Sequence, residues 1–179
     1  QPLGRRLGGS RNAAEDRLDL RDGWLALSGG SEATFSADIK GAELSLASVL
    51  TGALTFLAVE WKNDGRLLRP AMEAAGEGLI DSANAGSAVD ATRSFLRQIA
   101  DNLPDALFQG EARAEVEQLI AALPQGRGRL TLGFASEAGI GAAQIGIAAL
   151  SDDPVGPDAL ARLLAGSALS VDWQPGIFP

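Results

Sequence analysis

The feature that most constrains this chain is a double change in the period of its apolar residues. Between Leu18 and Trp61 they alternate, between Leu68 and Leu123 they recur every three or four positions, and from Leu130 onward they alternate again. Alternation is the signature of a strand with one face buried, and the longer spacing that of an amphipathic helix. Ala33, Phe35, Ala37 and Ile39 oppose Thr34, Ser36, Asp38 and Lys40, and the break at Gly29-Gly30 marks a hairpin with the preceding run Leu18, Leu20, Leu25 and Leu27. Leu44 and Leu46 predict a further strand after Gly41, and Leu57, Val59 and Trp61 another, facing away from Ala58, Glu60 and Lys62.

Past the turn Asn63-Asp64-Gly65 three helices are expected in series. The first carries Leu68, Met72, Ala75 and Leu79, with Pro70 tolerated in its first turn. The second carries Val89, Phe95, Leu96, Ile99 and Leu103, is capped by Ser87 and stops near Pro104. Val116, Leu119, Ile120 and Leu123 outline the third, closed by Pro124 and Gly126. Strands return at Leu130, Leu132 and Phe134 and continue through Ile145, Ile147 and Leu150. Pro157-Asp158 then opens a short helix with Leu160, Leu163 and Leu164, and Leu169, Val171 and Trp173 form a last strand. The predicted fold is α+β, an antiparallel sheet with about four helices packed on one face. Val59-Glu60-Trp61 and Val171-Asp172-Trp173 echo one another, each ending a strand.

The chain is 179 residues long, 46% hydrophobic and 21% charged, which places it among folded globular chains rather than disordered ones. Residues 1–17 hold Arg5, Arg6, Arg11 and Arg17 among Gly and Ser without an apolar period; they are expected to form a flexible or fragment segment ahead of a single domain over 18–179. Fifteen Lys and Arg against 23 Asp and Glu give a net charge of −8, so no nucleic-acid partner is expected. The longest uncharged stretch of the first half, Leu44 to Val59, is interrupted by Ser, Thr and Gly and is shorter than a spanning helix; no membrane-spanning segment is expected.

Cys, His and Tyr are absent, and Lys occurs only at Lys40 and Lys62. Thiolate, imidazole and zinc-thiolate chemistry are thereby excluded, leaving carboxylates as the main acid-base groups. Asp152-Asp153 and Asp64, the latter followed by Arg66 and Arg69, are the candidates, with helix capping and turn chemistry as their ordinary roles. No phosphate-cradling glycine motif is present, and no cofactor is expected.

Three stretches carry a resemblance. Trp61-Lys62-Asn63-Asp64-Gly65 leading into Leu67, Leu68 and Arg69, the passage from Leu119 through Pro124 and Gly126 into Arg129–Leu132, and the segment Gly156–Leu164 resemble alphaproteobacterial cell-envelope proteins of unknown function that are loosely AsmA-like. The resemblance runs from Leu44 onward, and Trp61 stands where Tyr is more usual. It implies a periplasmic, membrane-proximal module with no known catalytic residues, concerned with lipid handling or outer-membrane biogenesis.

Together these readings point to a non-enzymatic envelope module that binds a lipid or other apolar ligand in a sheet-helix groove. Leu57, Val59, Trp61, Leu132 and Phe134 would line it from the sheet, Met72 and Phe95 from the helices, with Asp64 and Arg69 as a polar anchor. The same alternation serves a closed core, so groove and core stay open alternatives here. A protein–protein assembly domain, using a sheet edge or a patch around Trp61 or Trp173, is the second reading. A carboxylate-dependent hydrolase using Asp64 or Asp152-Asp153 with Mg²⁺ or Ca²⁺ is the third.

Overall fold

The computed structural model describes residues 5–12, 17–26, 30–42, 52–79, 87–150 and 152–176. They form an α+β fold: a six-stranded antiparallel sheet with five helices. The strands are β1 (Arg5–Asn12), β2 (Arg17–Ala26), β3 (Glu32–Lys40), β4 (Ala53–Asn63), β5 (Gly128–Gly141) and β6 (Ser167–Pro175), and they lie side by side in chain order. The helices are α1 (Leu68–Glu77), α2 (Ala88–Asn102) and α3 (Ala112–Ala122), all between β4 and β5, then α4 (Ala142–Ala149) and α5 (Pro157–Leu163) between β5 and β6. A 3-10 turn spans Asp105–Leu107.

Pairing follows the alternation. Val59 is opposite Phe35 on one side and Leu132 on the other, and Leu57 is opposite Ala37 and Phe134, so one face of the sheet is apolar in consecutive rows. The reverse face carries cross-strand ion pairs, among them Lys62 with Glu32 at 3.7 Å and Arg129 with Glu60 at 3.5 Å. Bulges break the register of the sheet in β2, near Thr55 of β4 and between Ala135 and Ile140 of β5. At the β2 bulge between Leu20 and Gly23, Asp22 takes a φ of +53°, and the Phe35 ring lies over Gly23, where a Cβ would come within 2.5 Å of it. Past the bulge near Thr55, Leu18, Ile39 and Ala42 form a small core with Leu20 and Leu54.

On the reverse face of β3, Asp38 is buried between Arg17 and Arg21, the latter at 2.9 Å. Burial opposes the charge on Arg17, but Asp38 and Asp19 outweigh it and raise its pKa. The cluster shields a carboxylate that would be costly to bury alone.

Three sequence expectations change. Arg5–Asn12 is a strand rather than a flexible segment, because β2 offers a template of backbone partners along its length and such pairing overrides weak local propensity. Ile145 and Ile147 belong to helix α4 rather than a continued strand; β5 ends at Gly141, and the Gln144 side chain accepts a bond from the Gly141 amide at the first turn. Asp64 does not cap α1, whose N-cap position is Leu67 with no side-chain cap. The strand expected at Leu44 and Leu46 lies outside the described residues. Elsewhere the expected signals act as read: the Ser87 hydroxyl accepts from the Asp90 amide at 3.2 Å and donates to its carboxylate at 2.7 Å, capping α2.

Candidate functional site

The two tryptophans of the sequence echo fall on one row of the sheet. Trp61 of β4 and Trp173 of β6 flank Leu130 of β5, and all three are on the apolar face. Above this row lie α2 and α3, and between helices and sheet is a cavity of about 340 Å³. Its floor is Trp61, Trp173 and the buried Asn63; Leu96 and Ile99 of α2 and Leu103 at its C-cap reach into it, as do Val116, Leu119 and Ile120 of α3. The lining is almost wholly apolar.

The helical roof is held at both ends by reciprocal caps. Arg93 of α2 donates to the carbonyl of Leu123 at the end of α3 at 2.7 Å, and Arg113 of α3 donates to the carbonyls of Ala100 and Leu103 at the end of α2 at 3.2 and 2.7 Å. A cation at a helix C-terminus satisfies carbonyls that lack intrahelical partners and opposes the helix dipole. Arg113 also lies over the Phe108 ring, 4.4 Å from its centroid. α1 joins this assembly through Gly76, which packs so closely on Ala88 that a Cβ would meet its carbonyl oxygen at 1.9 Å, and through the Thr92 hydroxyl donating to the Met72 carbonyl at 2.8 Å.

The outer edge of β6 is sealed by the same region. Gln109 donates its amide to Leu169 at 2.9 Å, Phe108 bridges to Leu169, and the Glu115 carboxylate accepts the Trp173 amide at 3.2 Å. A carboxylate from α3 thus occupies an edge donor that would otherwise be open to a further strand.

The expected site residues divide. Trp61 lines the cavity. Val59 with Leu132 and Leu57 with Phe134 share its face of the sheet in the next rows and are half-buried, outside the lining. Met72 is buried with Val89 and Leu123 in the contact between α1 and the other helices, and Phe95 is half-buried on α2; neither lines the cavity. Asp64 and Arg69 are not brought together. Arg69 is exposed and pairs with Glu73 at 3.7 Å, one helical turn on, while Asp64 pairs with Arg66 at 3.6 Å.

Asp64 instead closes the turn below the cavity. Its carboxylate accepts from the Ser31 hydroxyl at 2.9 Å and from the Arg66 amide at 3.0 Å, and its backbone amide donates to Ser31 at 3.1 Å. Burial of the carboxylate opposes ionisation, yet the Arg66 amide, the Ser31 hydroxyl and the charges of Arg66 and Arg127 together hold its pKa below the ordinary carboxylate value. Asn63 completes the turn, donating to the Gly126 carbonyl and accepting from the Gly65 amide. Asp152 and Asp153 lie exposed ahead of α5. Among the described residues no group of three or more carboxylates is placed to hold a metal ion, and no helix is long and apolar enough to cross a membrane.

The lining residues of α2 and α3 are those whose helical spacing was legible, but spacing alone does not separate a wall facing a cavity from one facing core. The signal for the site was the tryptophan echo, which places one large ring at the same height on two strands of the same sheet. Compared with known proteins, the chain matches no family model, no curated protein and no solved structure.

Proposed function

We propose that this protein is a non-enzymatic binding module that holds an apolar chain, such as the acyl tail of a lipid, in the cavity between the Trp61–Trp173 row and helices α2 and α3. The observation that carries the reading is the cavity itself. About 340 Å³ of apolar space falls within the roughly 300–1,000 Å³ of small-molecule sites, whereas interiors close up any void that side chains are able to fill. The rows beyond it, Val59–Leu132 and Leu57–Phe134, are only half-buried although they lie in the middle strands, so the apolar floor extends past the cavity. A hydrocarbon chain suits this lining because it has no polar group to leave unpaired. The resemblance to AsmA-like envelope proteins accords with this and supports a reading of the module as periplasmic and close to a membrane.

Tryptophan quenching by a brominated fatty acid tests the reading. Trp61 and Trp173 line the cavity, whereas Trp24, on the reverse face of β2, does not. Saturable quenching that persists in Trp24→Phe is expected; emission unaffected by the fatty acid would refute the reading.

The assembly reading draws on β1. Its inner side pairs with β2, and among the described residues no strand pairs with its outer side, in contrast to the sealed β6. A mass in light scattering that rises with concentration would favour this second reading.

A further inference from the structure

Helix α4 breaks the rule that an apolar helix is a buried one. No charged residue lies between Glu137 and Asp152, yet Ile145 is 53% exposed, Ile147 73% and Leu150 88%. Ile147 and Leu150, three positions apart, form an apolar surface beside a hollow of about 350 Å³ between α4 and α5, walled by Ile147, Ala148 and Leu163, while Ile145 points to the other side of the helix. Exposed patches of this kind mark contacts with a protein or a membrane.

Charge narrows the choice. Asp152, Asp153 and Asp158 rim the patch, with Arg162 the cation among them, and the whole chain carries −8. An anionic bilayer would be repelled by this rim. A second copy docked by the same patch across a two-fold axis would bring two acidic rims face to face. An uncharged helix beside acids is complementary to a zwitterionic surface, whose outermost charge is an ammonium group. A helix of eight residues spans about 12 Å, too short to cross a bilayer and suited to lying within the interface.

Shared walls connect this patch with the apolar cavity. Leu150, Ala159 and Arg162 border both the hollow under α4 and the acidic recess; Pro157 and Asp158 border that recess and a second one at the end of α2. Leu103 borders the second recess and the cavity. These recesses adjoin one another between α4 and Leu103, and the two in the middle are lined by carboxylates and by Arg113 and Arg162.

We infer that α4 and Leu150 dock onto an electrically neutral lipid bilayer, the source of the chain that the cavity holds. This rests on the reading of the cavity as an acyl-chain site. Flotation with phosphatidylcholine vesicles, alone and mixed with phosphatidylglycerol, tests it, using the wild type and an Ile147→Ser, Leu150→Ser double variant. Both substitutions are at exposed positions, and an unchanged melting temperature is the control for folding. The wild type should float with neutral vesicles, less as the anionic lipid is added, and the double variant should lose about tenfold in partitioning.

No flotation, stronger binding to anionic vesicles, or equal binding by the variant would each overturn the inference. A dimer that the variant dissolves, without vesicle binding, would assign the patch to a second copy and also overturn it. Quenching by soluble brominated fatty acid separates the two claims. Quenching without flotation removes the docking surface and keeps the cavity; flotation without quenching removes the cavity and keeps the docking surface.

Discussion

The roof helices α2 and α3 and the outlying helix α4 both present aliphatic side chains, but to different surroundings. Along α2 and its C-cap, Val89, Thr92 and Ala100 are buried and Leu96, Ile99 and the capping Leu103 are half-buried, while Asp90, Ser94, Arg97, Gln98 and Asp101 face water. α4 has no such division: it holds Ala, Ile, Gly and Gln, without a charge, and none of its residues is buried. The amphipathic pair is capped at both ends by arginines of the partner helix and roofs a cavity. The uniform helix lies open. The difference teaches that apolar content and enclosure are separate properties, and that each of the two surfaces asks for a different apolar occupant.

Substitution of Trp173 tests the enclosed side with the largest effect. Its ring is buried, forms part of the cavity floor and packs on Gly126 and Gly128, so Trp173→Ala should cost about 3–5 kcal/mol in a denaturant melt. A loss below about 1 kcal/mol would mean that the row of tryptophans does not support the fold.

Asp64, in the turn beneath the cavity, gives an intermediate effect that depends on pH. Its folded pKa lies below its unfolded one, so its stabilising contribution is complete above the unfolded value of about 4 and fades as the pH falls through the folded value. Asp64→Asn keeps an oxygen for the Ser31 and Arg66 bonds but removes the charge. It should flatten the acid side of the stability curve, measured as melting temperature from about pH 6 downward; an unchanged acid limb would assign acid sensitivity to other carboxylates.

The smallest effect belongs to α4. Ile147→Ser and Leu150→Ser should each change stability by no more than about 0.5 kcal/mol, because their side chains are already in water. A loss of more than 1 kcal/mol would show that α4 is packed in solution and would erase the contrast with α2.

Most of the fold was legible because its signals are local. Ser87 with Asp90 caps α2, Pro157 opens α5, and the alternation around Phe35, Val59 and Leu132 sets a register in which all three share a face. What escaped depends on neighbours distant in sequence. β1 has little apolar pattern, and its pairing is supplied by β2. In α4 the spacing of Ile145 and Ile147 matches a strand, and the surrounding alanines, good helix formers, carry the opposite preference. The site was legible only at Trp61. Met72 and Phe95 were on the expected helices but at other contacts, since which face of a helix meets a cavity is decided by how helices pack, not by their period.

The central claim is that the space above Trp61 and Trp173 holds an apolar chain. It is tested most directly by the native mass of the protein purified without detergent, with organic extraction of what it releases, for the wild type beside Ile99→Trp. Ile99 lines the cavity, and the larger ring fills it. The account predicts one acyl-chain mass per wild-type molecule and none on the folded variant. A clean wild-type monomer that also fails to take up added fatty acid, or equal loading of the filled variant, would contradict it.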